Sequence, residues 1–207
     1  MIRIIAGMIW LVVQTAVPQA NLPPAYPRPG TTKILDNDRV QVWKIAWLKG
    51  QPSPLHRHIY DLVGVYYEPG DRMIISPEGV KRPVSTKAWD IAFQRSGVTH
   101  IEAGVSDSPL RAIFVEIKQA SPDGTHNALS DAGVFAGEGG TQRLDNDRVT
   151  VWEYTRTSDT LRHRHVRDRI VVAFHAGQPS VTWIPSESLP EDESTGGSSR
   201  VYVFEIK

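Results

Sequence analysis

Residues 36–43 read DNDRVQVW, and residues 145–152 read DNDRVTVW. A His-Arg-His triplet follows each copy, and each half of the chain closes on Glu-Ile-Lys, at 116–118 and at 205–207. These matches occur in the same order and predict an internal duplication, which has to be recognised before a fold is assigned. We interpret features that both halves keep as architecture, and features that one half keeps as chemistry.

The composition is that of an ordinary globular protein and excludes several functional classes. Of the 207 residues, 40% are hydrophobic and 22% are charged. The formal net charge is zero, so no overall field attracts nucleic acid, and we expect no nucleic-acid partner. The absence of cysteine excludes disulfides, thiolate metal sites and cysteine nucleophiles. Any metal ion must therefore be held by nitrogen and oxygen ligands.

The N-terminus has the features of an export signal. A positively charged start precedes an apolar run at 4–13, which is too short to span a bilayer, and small residues then offer a cleavage point after Ala20. The alternative is a buried strand or helix of the folded domain. We predict a signal peptide over 1–20, a secreted or periplasmic protein without a stable membrane span, and a flexible proline-rich leader over 21–31.

Short runs of alternating apolar residues begin near Thr32 and predict β-strands. Glycine, proline, aspartate and serine separate the runs, and no window has a clear helical periodicity. Several short strands at this spacing are typical of a sandwich or a barrel. We predict strands at 40–47, 59–67, 72–75, 91–93, 98–102 and 110–117, and then at 149–154, 170–174, 181–184 and 201–206.

The repeat divides the chain into two lobes. We predict a first lobe over 32–118, a linker rich in Gly, Ala, Ser and Asp over 119–141, and a second lobe over 142–207. The second lobe is shorter in its later half, which predicts that it has lost a hairpin and is mostly structural. Side chains that recur in both lobes are interpreted as packing residues: Trp43 and Trp152, and Glu116 and Glu205.

Histidines carry the clearest chemical signal in the first lobe. His56 and His58 are two residues apart on a predicted strand, so both side chains project from the same face. Two imidazoles form half of a divalent-metal site, and His100 can supply a third ligand from a later hairpin. The alternative is a vestigial pair in a barrel that no longer binds metal.

At these positions the chain resembles the cupin superfamily. Gly50, five further residues and then His-Arg-His at 56–58 match the opening of the first cupin motif, with a glycine turn at Gly70 ending it. His100 lies where the second motif carries its histidine. The resemblance covers both lobes and implies an all-β bicupin of two antiparallel jelly-roll barrels. It also implies a divalent ion (Fe, Mn, Zn, Ni or Cu), which cupins commonly hold by three histidines and one glutamate.

The glutamate of that motif has no counterpart at the expected position. The family places it an even number of residues after the second histidine, where this chain has Leu62. Asp61 is the nearest carboxylate, but strand alternation points it away from a metal unless the strand bulges. Asp168 recurs at the same place in the second lobe, so we interpret both aspartates as structural. The predicted ligands are the three first-lobe histidines, whose neutral charge favours an anionic small-molecule ligand.

The second lobe lacks a complete set of ligands. It carries His163 and His165, but nothing corresponds to His100, and His175 on the next strand is the one spare imidazole. We therefore predict at most a vestigial second site. Arginines that alternate with these histidines are interpreted as solvated or interface residues, with an anion-binding mouth as the alternative.

The resulting hypothesis is a cupin-type small-molecule-binding protein with a divalent metal in the first lobe. If the protein is an enzyme, the resemblance implies a dioxygenase or decarboxylase that acts on a small organic acid or phenol. A second hypothesis is a non-catalytic bicupin whose barrels bind a ligand or pack a homodimer. A third is a metal-independent isomerase or epimerase with a histidine as general base. Fold alone identifies neither the metal nor the substrate.

Overall fold

The structure is a computed structural model, and it describes residues 21–118, 140–155, 160–161, 167–186, 193–194 and 200–207. Within these ranges the chain forms β-strands and no α-helix, which confirms the all-β prediction. No helix in the described part of the chain is long and apolar enough to cross a membrane. The predicted signal peptide and most of the predicted linker lie outside the described residues.

Two antiparallel sheets form the first lobe. Its strands are β1 (Thr31–Asp36), β2 (Val40–Trp47), β3 (His56–Arg57), β4 (Asp61–Glu68), β5 (Gly70–Ile75), β6 (Lys81–Thr86), β7 (Ile91–Gln94), β8 (Thr99–Gly104) and β9 (Leu110–Ile117). One sheet has the order β1-β2-β9-β4-β7, and the other has the order β3-β8-β5-β6. Strands distant in sequence are therefore sheet neighbours, as in a jelly roll.

The second lobe repeats the first of these sheets. Its strands are β10 (Thr141–Asp145), β11 (Val149–Thr155), β12 (Thr160–Leu161), β13 (Arg169–His175), β14 (Gln178–Ile184), β15 (Glu193–Ser194) and β16 (Arg200–Ile206). The sheet order is β10-β11-β16-β13-β14, and β12 pairs with β15. The register shift between Lys33 and Leu35 in β1 recurs between Gln142 and Leu144 in β10.

Strand β2 is buried on both faces. Val40 and Val42 belong to a core that both lobes share, whereas Trp43, Ile45 and Trp47 belong to the interior of the first lobe. Because successive side chains of a strand point to opposite faces, a strand between two cores needs apolar residues on both. This requirement explains why both faces of the 40–47 pattern are apolar.

The shared core lies between the two five-stranded sheets. It consists of side chains that are almost fully buried, including Val63, Val65, Ile113 and Val115 from the first lobe and Val151, Val172, Phe204 and Ile206 from the second. An interface this apolar resembles a domain core rather than a contact between independent domains. The two lobes therefore support each other's folding.

Ion pairs cross between the lobes in a reciprocal pattern. Arg39 of the first DNDRV segment pairs with Asp168 (Nε to Oδ2, 3.6 Å), and Arg148 of the second pairs with Asp61 (Nε to Oδ2, 2.8 Å). Each aspartate also accepts a backbone N–H bond of its own lobe at 2.9 Å. These aspartates therefore recur because each forms an ion pair that connects the two lobes.

The recurring tryptophans and glutamates make the same contact in both lobes. Trp43 Nε1 donates to Glu116 Oε2 at 2.9 Å, and Trp152 Nε1 donates to Glu205 Oε2 at 3.2 Å. Each bond joins neighbouring strands of a five-stranded sheet and satisfies an indole N–H. These residues have the packing role that their recurrence predicted.

Some elements differ from the sequence predictions. Strands β1, β6 and β10 and the short strands β12 and β15 were not predicted, because they are short or largely polar and show little alternation. Gly70, where a turn was predicted, opens β5, and the chain passes there from β4 in the five-stranded sheet to the four-stranded sheet through one residue, Pro69. A Cβ at Gly70 would lie 2.9 Å from the backbone nitrogen of Leu110, which shows that the position needs glycine for close approach of two backbones.

Residues 21–30, which we call the strap, pack against the first lobe. The Pro23 carbonyl accepts the N–H of Arg57 at 2.9 Å, and the Gly30 carbonyl accepts the N–H of Ala46 at 2.7 Å. Tyr26 is 4% exposed. The prediction of a flexible leader is therefore wrong for these residues, because the strap bonds to the lobe at both ends and buries Ala25 and Tyr26 in between.

Candidate metal centre

Three histidines meet on one face of the four-stranded sheet. His56 in β3 is the register partner of His100 in β8, and His58 follows directly after β3. The N–H of His58 donates to the Val98 carbonyl at 2.9 Å, which keeps His58 beside the start of β8. Register partners and alternate residues share one face of a sheet, so the three imidazoles point to the same place.

The Nε2 atoms of the three rings face one another. The distance from His56 Nε2 to His58 Nε2 is 3.3 Å, and that from His58 Nε2 to His100 Nε2 is 3.2 Å. One ligand atom from each residue lies within 4.8 Å of the other two. Nitrogens bound at about 2.0–2.1 Å around one tetrahedral ion lie about 3.3 Å apart. The observed spacing therefore fits a single ion.

Burial keeps these imidazoles neutral. His56, His58 and His100 are 1%, 2% and 7% exposed. Because burial disfavours the charged ring, the pKa of His58 is lowered to about 3, that of His100 to about 4, and that of His56 is also lowered. All three are therefore unprotonated at neutral pH, the form in which imidazole binds a metal.

A hydrogen bond at the back of His56 sets the orientation of its ring. His56 Nδ1 lies 3.0 Å from the Pro54 carbonyl oxygen and 3.2 Å from Ser53 Oγ. A carbonyl oxygen can only accept, so Nδ1 carries the proton and the Nε2 lone pair points into the cluster. Bonds of this kind orient histidine ligands in metalloproteins.

Ser53 joins this loop to strand β8. Its Oγ accepts the N–H of Glu102 at 2.9 Å, and its own N–H donates to the Glu102 carbonyl at 2.8 Å. The loop that carries His56 is thereby fixed to the strand that carries His100.

Glu102 is a buried carboxylate beside the cluster that the sequence interpretation missed. Its Oε2 lies 2.6 Å from Arg28 Nη2, and its Oε1 lies 3.4 Å from Arg72 Nη1. Burial alone would raise the pKa of Glu102, but Arg28 and Arg72, followed by His100 and His58, lower it to about 2. The signal that could have found it is its place two residues after His100, on the same face of the predicted strand.

Comparison with known proteins identifies the fold. No family model and no curated protein sequence matches the chain. The structure of AerE from Microcystis aeruginosa is 13% identical and covers 90% of this chain and 97% of its own, with a TM-score of 0.56. At that identity the likeness is one of fold.

Cupin structures are among the other matches. A cupin domain from Bordetella pertussis is 28% identical over 46% of this chain and 100% of its own, with a TM-score of 0.40. A cupin 2 conserved barrel domain protein from Leptotrichia buccalis is 12% identical over 86% of this chain and 88% of its own, with a TM-score of 0.47. The strand order of the described residues shows an all-β, antiparallel jelly-roll fold.

The other histidines and Asp61 stand apart from the cluster. Asp61 pairs with Arg148 and Arg95 and is not part of the three-residue group. His175 ends β13 in the second lobe and is half-buried. The predicted companions of His175 are His163 and His165, and both lie outside the described residues. The structure thus brings together the three first-lobe histidines alone among the candidates it describes.

Proposed function

We propose that this protein is a cupin that binds one divalent metal ion through His56, His58 and His100. The observation that carries the proposal is the convergence of three buried imidazoles, in which His58 Nε2 lies 3.3 Å from His56 Nε2 and 3.2 Å from His100 Nε2. The donor set supports it, because imidazoles that are neutral and held from behind are ready ligands. Imidazole binds Fe, Mn, Zn, Ni and Cu with differing affinity, so the ligand type does not identify the ion, which has to be measured.

The residues around the ligands favour binding of a small anionic molecule. Three neutral imidazoles leave the charge of a divalent ion uncompensated. Two buried arginines, Arg28 and Arg72, face the single carboxylate of Glu102, so these three charged groups add one further positive charge. We propose a small organic acid or a phenol as the ligand.

The proposed reaction classes are dioxygenation and decarboxylation of such a ligand. A divalent ion at this place would supply Lewis acidity, or oxygen chemistry if it is redox-active. His56 holds its proton on Nδ1, away from the cluster, and Glu102 stays charged and paired with two guanidinium groups. Three protein ligands leave coordination positions for a substrate group.

Metal analysis of protein purified without an affinity tag tests the proposal. We expect about one equivalent of metal in the wild type, and its loss in His56→Ala and His100→Ala, which each remove one of three ligands. His175→Ala is the matched control, because it removes an imidazole of the second lobe and should keep the metal. Equal metal content in all four proteins would exclude the site and leave the non-catalytic bicupin.

A further inference from the structure

The strap carries two side chains to the candidate metal centre. The Tyr26 ring lies edge-on to the His58 ring with centroids 6.3 Å apart, and its centroid is 5.2 Å from that of Trp43. Arg28, whose side chain is 4% exposed, reaches Glu102 at 2.6 Å. The strap therefore places a phenol ring beside His58 and supplies the closest counter-ion of the neighbouring carboxylate.

The strap bridges the two sheets of the first lobe. Near its start, Pro24 forms a parallel bridge with Arg57 of β3, which is the edge strand of the four-stranded sheet. At its end, Gly30 bonds to Ala46 of β2 in the five-stranded sheet. The segment thus closes the lobe along the edge at which His56 and His58 lie.

The backbone of the strap is poorly suited to permanent pairing. Four of its ten residues are prolines, at 23, 24, 27 and 29. A proline has no N–H to give to a β-ladder, so the strap cannot pair continuously as an added strand. Elements with few backbone bonds open locally at lower free energy than the core strands do.

Buried polar atoms at the contact between the strap and the site lack partners. They are the Tyr26 hydroxyl, Nε of Arg28 and Nδ1 of His58, none of which makes a hydrogen bond. In a permanently packed core such groups are nearly always paired. Closing the strap therefore removes these three groups from water without giving them a hydrogen bond in return, which opposes closure.

We propose that the strap is a lid that opens to let metal and ligand reach the three histidines. Tyr26 is the part of the lid that lies over His58, and Arg28 holds the lid closed through Glu102. The inference that metal and ligand enter rests on the proposed function. The inference that the strap opens rests on the geometry of the strap.

A reversible cross-link tests the lid in the full-length chain. The protein has no cysteine, so Pro24→Cys combined with Arg57→Cys introduces a single pair. Bridge partners on neighbouring strands lie about 5 Å apart, within the range of about 4.4–6.8 Å between Cα atoms that a disulfide spans. The oxidised form locks the strap, and a phosphine reductant releases it in the same molecule. Any folding defect of the variant is then common to both forms.

The first readout is the reaction of the imidazoles with diethyl pyrocarbonate, followed by peptide mapping. We expect the reduced form to be labelled at His56, His58 and His100 about tenfold faster than the oxidised form, because labelling requires a local opening. His175 serves as the internal reference and should react equally in both forms. The second readout is the rate at which Zn²⁺ loads, which should be slower in the oxidised form.

Each proposal fails in its own way. Equal labelling of the three histidines in the oxidised and reduced forms would overturn the lid. Slow labelling in the oxidised form, with no Zn²⁺ bound in either form, would support the lid and overturn the metal site.

Single substitutions at Tyr26 repeat the test without a cross-link. Tyr26→Ala removes the ring that lies over His58, and labelling of the three histidines should become faster. Tyr26→Phe keeps the ring and loses only the unpaired hydroxyl, so it should match the wild type. Labelling of Tyr26→Ala at the wild-type rate would also overturn the lid.

Discussion

Glu102 illustrates how one buried carboxylate can support a site without belonging to its ligands. It connects Arg28 of the strap with Arg72 of β5, and both guanidinium groups lie near the Trp47 ring, at 5.5 and 4.9 Å from its centroid. The burial of both arginine side chains therefore depends on the negative charge of Glu102. Loss of that charge would leave two buried cations facing each other.

Glu102→Gln should consequently lower the free energy of unfolding by about 3–5 kcal/mol, the usual cost of breaking a buried ion pair. Urea denaturation measures the change. Glu68→Gln is the matched control, because the side chains of Glu68 and its ion-pair partner Arg111 are 45% and 36% exposed. This substitution should lower the free energy of unfolding by less than about 1 kcal/mol. Similar small losses in both variants would contradict a charged Glu102.

The three buried histidines should make the metal-free protein sensitive to mild acid. Their pKa values are lowered in the folded state, to about 3 for His58 and about 4 for His100, from an ordinary value of 6.5. As the pH falls below about 6.5, the unfolded chain binds protons that the folded chain does not, so stability is lost between about pH 6.5 and pH 4.

Thermal unfolding across this pH range checks the acid sensitivity. His58→Gln removes one of the buried imidazoles, so its melting temperature should fall less steeply with pH than that of the wild type. Parallel curves for the two proteins would argue that His58 is protonated in the folded state.

At the scale of elements, the loop before β3 and strand β8 act as one unit. The paired bonds between Ser53 and Glu102 tie the loop to the strand, and the same Ser53 hydroxyl touches His56 Nδ1. The position of one proposed ligand is therefore set by a bond to the strand that carries another. This coupling explains how a strand of only two residues, β3, can hold a ligand in place.

Ser53→Ala should weaken metal binding by about 10–100-fold, as other losses behind a histidine ligand do. It should also destabilise the protein by about 1–3 kcal/mol, because the buried N–H of Glu102 loses its partner. Competition with a chelator measures the first effect. Ser106→Ala is the control: the Ser106 hydroxyl also accepts a backbone N–H, that of Asp71, but at an exposed position. Equal metal affinity in both variants would remove Ser53 from the site.

At the scale of the whole molecule, the two lobes share a core and exchange ion pairs. The second lobe buries the outer face of the sheet that carries β2, β4 and β9, while the inner face of that sheet lines the first lobe. Aromatic contacts extend this interface, since the ring of Trp89 in the first lobe packs against that of Phe174 in the second, with centroids 5.0 Å apart. The described residues of the second lobe contain no complete set of metal ligands, but this lobe covers the outer face of the sheet.

Ile206→Ala should therefore destabilise both lobes together, by about 2–5 kcal/mol for a buried isoleucine. Ile206 is 1% exposed and lies in the shared core. Hydrogen exchange of β4 and β13 should rise by the same factor, although only β13 is in the lobe of the substitution. Val80→Ala, at a residue 67% exposed, should change neither strand. A rise confined to β13 would show that the lobes unfold independently.

Alternation along a strand was sufficient to predict most of the buried strands and the shared face of His56 and His58, whereas the place of His100 was predicted from a later hairpin and from the resemblance to the cupin motif. The sequence was insufficient for the contacts that depend on the third dimension. Arg28 and Glu102 are separated by 74 positions, and the strap shows no periodicity that would predict its place. The proline content led to the prediction of a flexible leader, because it carries no information on whether a tyrosine among the prolines is buried.

The course of the strap has a practical consequence for anyone who purifies this protein. A polyhistidine handle fused just ahead of residue 21 would end six positions before Tyr26 and bring foreign imidazoles close to the cluster. Such a handle could load metal at the cluster or compete for it, and stoichiometry would then report on the handle. A handle placed after Lys207 is safer, since Lys207 is anchored on the second lobe by Asp145 at 2.6 Å.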